Sequence, residues 1–268
     1  MSIKKYLMRI HWVLSSQLGL NPLRLMRSLR GLPEFISGWW SFRSVYKGRI
    51  DLLPCLYDRY EEGGSTKNEY FWQDLIVARW VHQASPQKHV DIGSRVDGFV
   101  AHVASFREVE VIDVRPITTD IPGVVFRQAD MMNVETLPDT SGDGYCDSLS
   151  CLHALEHFGL GRYGDPINPL GFRLGFENMV SLLRQNGMLY LSTPIGVERV
   201  EFNANWIFNP HTILKIASDT GLQLKSLTVF DRKRGIQKKD LTDATFKELA
   251  SEQYNLGIFT FTKILRRT

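Results

Sequence analysis

The stretch His89–Gly98, HVDIGSRVDG, constrains the fold more than any other part of the chain. Lys88–Ile92 reads as a short apolar strand and Phe99–Ser105 as the start of a helix, which leaves Gly93–Gly98 as the loop that joins them. A glycine at that junction has no Cβ and lets a ligand approach the backbone, while the amides opening the next helix favour polar or anionic groups. Two further apolar runs follow. VEVIDV carries Asp113, about 22 residues after Asp91, where an acid holds ribose hydroxyls in a Rossmann-like sheet, and VVFRQAD ends at Asp130.

Asp91-Ile-Gly93, then Asp113, Asp130, YCDSLSCLHALEH and LLRQNGMLYLSTP occur in the order found in class I S-adenosylmethionine-dependent methyltransferases, which the chain resembles from Tyr70 to Lys263. Within that class the wording of HVDIGSRVDGFVAHVASFREVEVIDVRP is similar to a bacterial family of undefined function associated with surface-polysaccharide genes. The resemblance implies S-adenosylmethionine as cofactor, held by Asp91, Gly93, Ser94, Asp113, Asp130 and His153. It also implies that Cys151–His153 passes the adenine and methionine portions. One departure stands out: Arg95 replaces the second glycine of the usual acid-x-Gly-x-Gly-x-Gly loop, with Asp97 and Gly98 in place of the third. Arg95 either blocks the cofactor or points away and serves the substrate.

The order of runs predicts an α/β fold: a Rossmann-like, mostly parallel sheet of seven strands whose last member is antiparallel, preceded by a basic helical extension. The strands are expected at Lys88–Ile92, Val109–Val114, Val124–Ala129, Tyr145–Cys151, Gly187–Ser192, Leu222–Phe230 and Gly257–Leu265. A helix over Phe172–Arg184 should end at Asn186-Gly187 as a left-handed cap. The amphipathic run Tyr70–Gln83, YFWQDLIVARWVHQ, is expected to flank the ligand pocket, with its aromatics able to cover a ligand. Glu61–Asn68, polar and glycine-containing, marks a boundary that divides the chain into a 1–62 extension and a 63–268 methyltransferase-like domain.

Charge is unevenly distributed. Residues 1–50 carry nine Lys and Arg against Glu34 alone, a net +8 that leaves −5 for the rest of a chain whose total is +3. The spacing predicts three short helices there, over Ile3–Leu18 and starting at Pro22 and Pro33, with Trp12, Leu25, Met26, Phe35, Trp39, Trp40 and Phe42 interleaved with the basic residues. That mixture suits either an anionic membrane surface or packing on the catalytic domain, a second subunit or a glycosyltransferase. It does not suit nucleic acid, since the basic residues are spread over several elements and no nucleic-acid motif accompanies them. Arg9 and His11 interrupt the apolar start, so no run spans a bilayer, and no small-residue cleavage site follows. With Cys55, Cys146 and Cys151 an odd number without metal spacing, these features point to a cytoplasmic protein, peripheral at the inner membrane face if the extension binds lipid.

After the fourth expected strand comes CLHALEHF, Cys151–Phe158. HALEH fits the inverted zinc-peptidase pattern His-x-x-Glu-His, but that motif needs a long helix, and Gly159, Gly161, Gly164, Pro166 and Pro169 break one here. Small-RNA 2′-O-methyltransferases and ubiquinone-ring O-methyltransferases have a similar Glu-x-x-Glu-His that holds a divalent metal, and here Glu156 and His157 match while His153 replaces the first acid. The resemblance therefore makes Glu156 and His157 candidate metal ligands, with His211 in FNANWIFNPHTIL about where the RNA enzymes supply another. Without a metal, His157, Glu156 and His211 are the candidate catalytic residues, an imidazole near neutral pKa serving as general base on a sugar hydroxyl. The bland reading is that Glu156 and His157 cap a short helix and bond to each other. Asp165, Asn168, Arg173, Arg199, Asn203 and Asn205 lie in polar segments over the same edge and suit a polyhydroxylated or phosphorylated ligand.

The expected function is O-methylation of a sugar in surface-polysaccharide or glycan assembly, on a glycan, sugar-nucleotide or lipid-linked sugar acceptor. The competing expectation is a non-catalytic methyltransferase-like domain that binds a glycan or a glycosyltransferase, with Arg95 filling the cofactor site. A nicotinamide oxidoreductase is disfavoured, because Gly-x-Gly-x-x-Gly is missing.

Overall fold

The computed structural model describes residue 7 and residues 10–61, 63–64, 66–140 and 143–264. The start of the helix expected from Ile3, with Lys4, Lys5 and Arg9, lies outside the described residues, as do Glu62 and Ser65 of the expected linker and Leu265 of the last expected strand. The chain divides into two compact units, Met1–Ser65 and Thr66–Thr268.

In the first unit a π-helical turn, Val13–Gln17, precedes one long helix, α1 (Pro22–Val45). Asn21 caps α1 by accepting from the Arg24 amide (3.0 Å), and Pro22 fills the first turn, where its missing N–H costs nothing. The expected break at Pro33 does not occur: Pro33 lies inside α1. One proline removes a single intrahelical bond, and no capping residue or left-handed turn precedes it to divide the helix. The chain then returns along α1, with the Leu56 carbonyl against Gly31, Tyr57 under Arg24 and Tyr60 under Arg30.

The second unit is a sheet covered on both faces. Its eight strands run β3-β2-β1-β4-β5-β10-β8-β9. They comprise β1 (His89–Ile92), β2 (Val109–Asp113), β3 (Val124–Gln128), β4 (Cys146–Leu152), β5 (Leu183–Ile195), β8 (Leu222–Asp231), β9 (Gly235–Lys239) and β10 (Asn255–Lys263). Strands β3, β2, β1, β4 and β5 pair in parallel, and β10 enters antiparallel between β5 and β8. A separate hairpin joins β6 (Arg199–Glu201) to β7 (Asn205–Ile207).

Residues of β1 and β4 are buried on both faces, as a parallel sheet between helical layers requires. On one face α2 (Glu69–Ala84) buries Gln73, Asp74, Val77, Ala78 and Val81, spaced three to four apart. They pack with Phe99, Val103, Leu152, Tyr190 and Ile258. On the other face α4 (Gly171–Leu182), α5 (Pro210–Asp219) and α6 (Asp243–Ser251) contribute Phe176, Met179, Ile213, Ile216, Phe246 and Leu249 to a second core. Cys146 and Cys151 are buried in β4, and burial pushes the Cys146 thiol up to about 12, which leaves it an inert apolar group.

Three expectations are corrected. The sheet has eight strands rather than seven, because the short, lysine-bearing β9 adds to the edge beyond β8. The helix after β1 is brief: a π-helical turn, Val96–Val100, leads into α3 (Ala101–Ala104). Asn186 is left-handed (φ 62°), but α4 has already ended at Leu182, and Asn186 lies where β5 shifts register against β4 rather than at a helix cap.

Candidate functional site

The carboxyl ends of β1 to β4 open onto one cavity of about 350 Å³. Ile92 and Gly93 follow β1, Asp113 ends β2, Ala129–Met132 follow β3, and His153 and Ala154 follow β4. Tyr70 from α2 and the loop from His157 to Asp165 complete the wall. Gly93 is left-handed (φ 66°), donates its amide to the Ile112 carbonyl (2.9 Å), and would place a Cβ 3.1 Å from that of Ala154. Bare backbone therefore faces the cavity at this point. Gly98 is needed for another reason: a Cβ there would collide with the Asp74 carboxylate.

Asp91 and Ser94, expected to touch a cofactor, lie behind the cavity wall instead. Both are fully buried, and the Asp91 carboxylate accepts from the Ser94 amide (3.0 Å), the Ser94 hydroxyl (2.6 Å) and the Ser150 hydroxyl. Ser94 Oγ in turn accepts from the Leu152 amide (3.2 Å). Further back, His89 bridges Ser148 (2.8 Å) and Ser150 (3.2 Å). Because Ser150 gives its proton to Asp91, His89 donates through Nε2 and accepts from Ser148 at Nδ1. Burial pushes Asp91 up to about 6, against the hydrogen bonds from Ser150 and Ser94, and pushes His89 down to about 3. Asp91 and Ser94 thus shape the loop from within.

Asp113 and Asp130 do line the cavity. Asp113 accepts from the Arg115 amide (2.8 Å) and, with both oxygens, from the Arg115 guanidinium (3.1 and 2.7 Å). Arg115 also lies 4.3 Å over the Tyr163 ring. Asp130 accepts from the Met132 amide (2.8 Å), which sets the turn after β3. Arg95 reaches the cavity rim, where Asp97 binds its guanidinium at 3.1 and 2.6 Å and its side chain stays half exposed. The cavity is thus open beside Arg95 rather than filled by it.

CLHALEHF forms the end of β4 and a single 3-10 turn, Leu155–His157. His153 is left-handed (φ 54°), faces Tyr70 at 4.5 Å between ring centres, and is bonded through Nδ1 to Glu156 (2.6 Å). Burial acts against a protonated His153 ring, but the charge and hydrogen bond of Glu156 outweigh it and raise the pKa; Glu156, whose own burial would raise it, is held low by His153. His153 Nε2 is buried without a hydrogen-bond partner, 3.8 Å from the Glu69 carboxylate.

This geometry corrects the reading of Glu156 as a catalytic group or metal ligand. Its carboxylate is buried, points to His153 and Thr193, and does not line the cavity. Glu156 and His157 face different partners, neither bonding to the other nor converging as ligands. Among the described residues no group of three or more His, Cys, Asp or Glu side chains is arranged to hold a metal ion. His211 is also corrected: it is exposed on α5, edge-on to Phe246 of α6, away from the cavity-lining residues.

His157 does reach the cavity. Its Nδ1–H donates to the Ala204 carbonyl (2.7 Å) in the turn of the β6–β7 hairpin, which leaves the Nε2 lone pair free for a ligand, and burial lowers its pKa. Of the polar residues expected nearby, Asp165 lines the cavity and accepts from the Gly159, Gly161 and Tyr163 amides at 3.0–3.2 Å. Asn168, Arg173, Arg199 and Asn205 do not line the cavity: Arg173 pairs with Glu177, and Arg199 with Glu201 and the Gln253 carbonyl. Arg115, Arg162 and Tyr163 were not singled out in the sequence. Only the proximity of Arg115 to Asp113 could have flagged one of them.

A family model described as a Caenorhabditis protein of unknown function, DUF268, matches residues 140–251. No curated protein matches the chain. Among solved structures, the fold is similar to the YcgJ protein of Bacillus subtilis, with a TM-score of 0.51 and 13% identity over 72% of this chain and 99% of that one. It is also similar to the 1,6-didemethyltoxoflavin N1-methyltransferase of Burkholderia thailandensis, solved with 1,6-didemethyltoxoflavin and S-adenosylhomocysteine, at a TM-score of 0.50 and 13% identity over 91% of both chains. Against an O-methyltransferase family protein of the same species the TM-score is 0.44 at 11% identity over 72% of this chain, which spans only 56% of the length of that protein. At 13% identity the structures with TM-scores of 0.50 and 0.51 show a likeness of fold alone, a Rossmann-like sheet.

Proposed function

We propose that this chain is an S-adenosylmethionine-dependent methyltransferase whose acceptor is a hydroxyl of a sugar in glycan or surface-polysaccharide assembly. The observation that carries this reading is the convergence of Gly93, Asp113, Asp130 and His153 on one cavity, with His157 at its edge. The residues present suit the cofactor. Gly93 offers bare backbone where a Cβ would crowd the wall, and His153 Nε2 is a buried polar atom without a hydrogen bond, 3.8 Å from the Glu69 carboxylate. Asp113 is engaged by the half-exposed Arg115 guanidinium through two hydrogen bonds, so a ribose diol takes this carboxylate only by displacing that guanidinium.

When bound, the cofactor supplies a methyl group on an electrophilic sulfonium. Asp113 then accepts from hydroxyl donors, Asp130 is a second acceptor 17 residues further along, and the apolar walls from Ile92, Ile112 and Met131 exclude water. His157 removes the acceptor proton at Nε2, while its Nδ1–H remains on the Ala204 carbonyl and fixes the ring. Arg162, Tyr163 and Asp165 at the same rim provide the mixed donors and acceptors that suit a polyhydroxylated acceptor.

Calorimetry with S-adenosylhomocysteine tests the reading. Binding is expected to be saturable and to be weakened at least about tenfold by Asp113→Ala, the loss of one charge-assisted hydrogen bond. Absence of heat at millimolar ligand, with the fold intact, would overturn it.

A further inference from the structure

We infer that α1 is a docking element for an anionic phospholipid surface. Leu25, Met26, Leu29, Leu32, Ile36 and Trp40 recur at helical spacing and form one stripe along α1. All six are exposed, Leu25, Met26, Leu29 and Trp40 by more than 60%. The opposite side of the helix is the one covered by the returning chain, which meets Arg24, Arg27, Arg30, Gly31 and Glu34. The stripe is therefore the face that the first unit's own fold leaves open.

Charge identifies what covers it. Pro22–Ile50 carries Arg24, Arg27, Arg30, Arg43, Lys47 and Arg49 against Glu34 alone. Arg24 and Arg30 lie over tyrosine rings, and Arg43 and Lys47 bond to backbone carbonyls, so among the described residues none of these four is paired with a carboxylate. The stripe asks for an apolar counterpart, and Arg43 and Lys47, at and just beyond its C-terminal end and bonded only to backbone carbonyls, ask for an anionic one. A bilayer bearing anionic headgroups supplies both, with the apolar side chains at the acyl boundary and the long basic side chains reaching back to the phosphates. The helix lies on such a surface; no described helix is long and apolar enough to cross one.

Sedimentation of the full chain with vesicles provides the test. The protein is expected to pellet with vesicles containing phosphatidylglycerol, to remain in solution with pure phosphatidylcholine, and to be released in about 1 M salt, where the Debye length falls to about 3 Å. Ile36→Glu/Trp40→Glu should lower the bound fraction about tenfold, and Arg43→Glu/Lys47→Glu should lower it while preserving the apolar stripe. Both pairs are outside the cavity and mostly exposed, so circular dichroism and S-adenosylhomocysteine binding should be unchanged. Failure of the full chain to pellet with either vesicle would overturn the inference. So would a dimer in solution that Ile36→Glu/Trp40→Glu converts to monomer, since the stripe would then be an interface between copies.

Discussion

His153 donates through Nδ1 to the Glu156 carboxylate at 2.6 Å, and this bond turns the most conspicuous acid of the HALEH segment away from the cavity. The two groups hold each other charged inside the protein, so removing either leaves the other buried and unpaired. Glu156→Ala should lower the unfolding free energy by about 3 kcal/mol, measured by urea denaturation. The folded His153 pKa is raised, so its share of stability is full below the ordinary histidine value of 6.5 and is lost as pH rises through the folded value. Glu156→Gln should flatten that alkaline decline.

Asp91 titrates in the opposite sense from a surface carboxylate. With its pKa raised from 3.8 to about 6, the folded chain binds more protons than the unfolded chain between these values, and stability falls as pH rises from about 4 to about 6. Unfolding free energies across this interval should fall by about 2–3 kcal/mol more in the parent chain than in Asp91→Asn, which has no proton to lose. Parallel pH profiles would refute the assignment.

His157→Ala should leave S-adenosylhomocysteine affinity within about twofold and lower methyl transfer by about 10²–10⁴, the usual contribution of a general base. The pKa of His157 is lowered by burial, so the parent kcat/KM should rise with pH through a value below 6.5 and then level off. His211→Ala, on the exposed side of α5, should change neither quantity.

Arg115 competes with any diol for Asp113. Arg115→Ala should therefore tighten S-adenosylhomocysteine binding severalfold, whereas Asp113→Ala weakens it; calorimetry on both variants reads the difference. If Arg115→Ala weakened binding as much as Asp113→Ala, Arg115 would itself be a ligand contact.

Gly93→Ala combines a left-handed backbone with a Cβ 3.1 Å from Ala154. A stability loss of about 1 kcal/mol or more is expected, with loss of ligand binding beyond it, detectable as a smaller thermal shift with S-adenosylhomocysteine.

The sheet is legible because β1, β2 and β4 are short runs buried on both faces and bounded by turn residues, which leaves that pattern little freedom. Asp113, Asp130 and His153 were legible as cavity residues for the same reason: strand ends determine where they emerge. What spacing could not show was side-chain direction. Asp91 and Asp113 both lie on or at the end of strands, yet one turns inward to serines and the other to the cavity and Arg115. Glu156 turned inward because His153 stands three residues before it on a tight turn. Strand β9, GIQKK, leaves no apolar run to read, because an edge strand needs few apolar residues, and Pro33 reads as a helix start because a proline tolerated inside a helix looks the same in sequence as one that begins another.

The buried network of Ser148, His89, Ser150, Asp91, Ser94 and the Leu152 amide converges on one carboxylate: from one side Ser148 gives to His89 and His89 to Ser150, from the other the Leu152 amide gives to Ser94, and the Ser150 and Ser94 hydroxyls both give to Asp91. A change at any member strands a donor or acceptor next to it, so single substitutions are penalised although each is chemically modest. The evolutionary consequence is that these residues should drift as a block. Relatives that lose His89 are expected to have replaced Ser148 and Ser150 as well, whereas Arg162 and Tyr163 at the cavity rim, outside this network, can change one at a time.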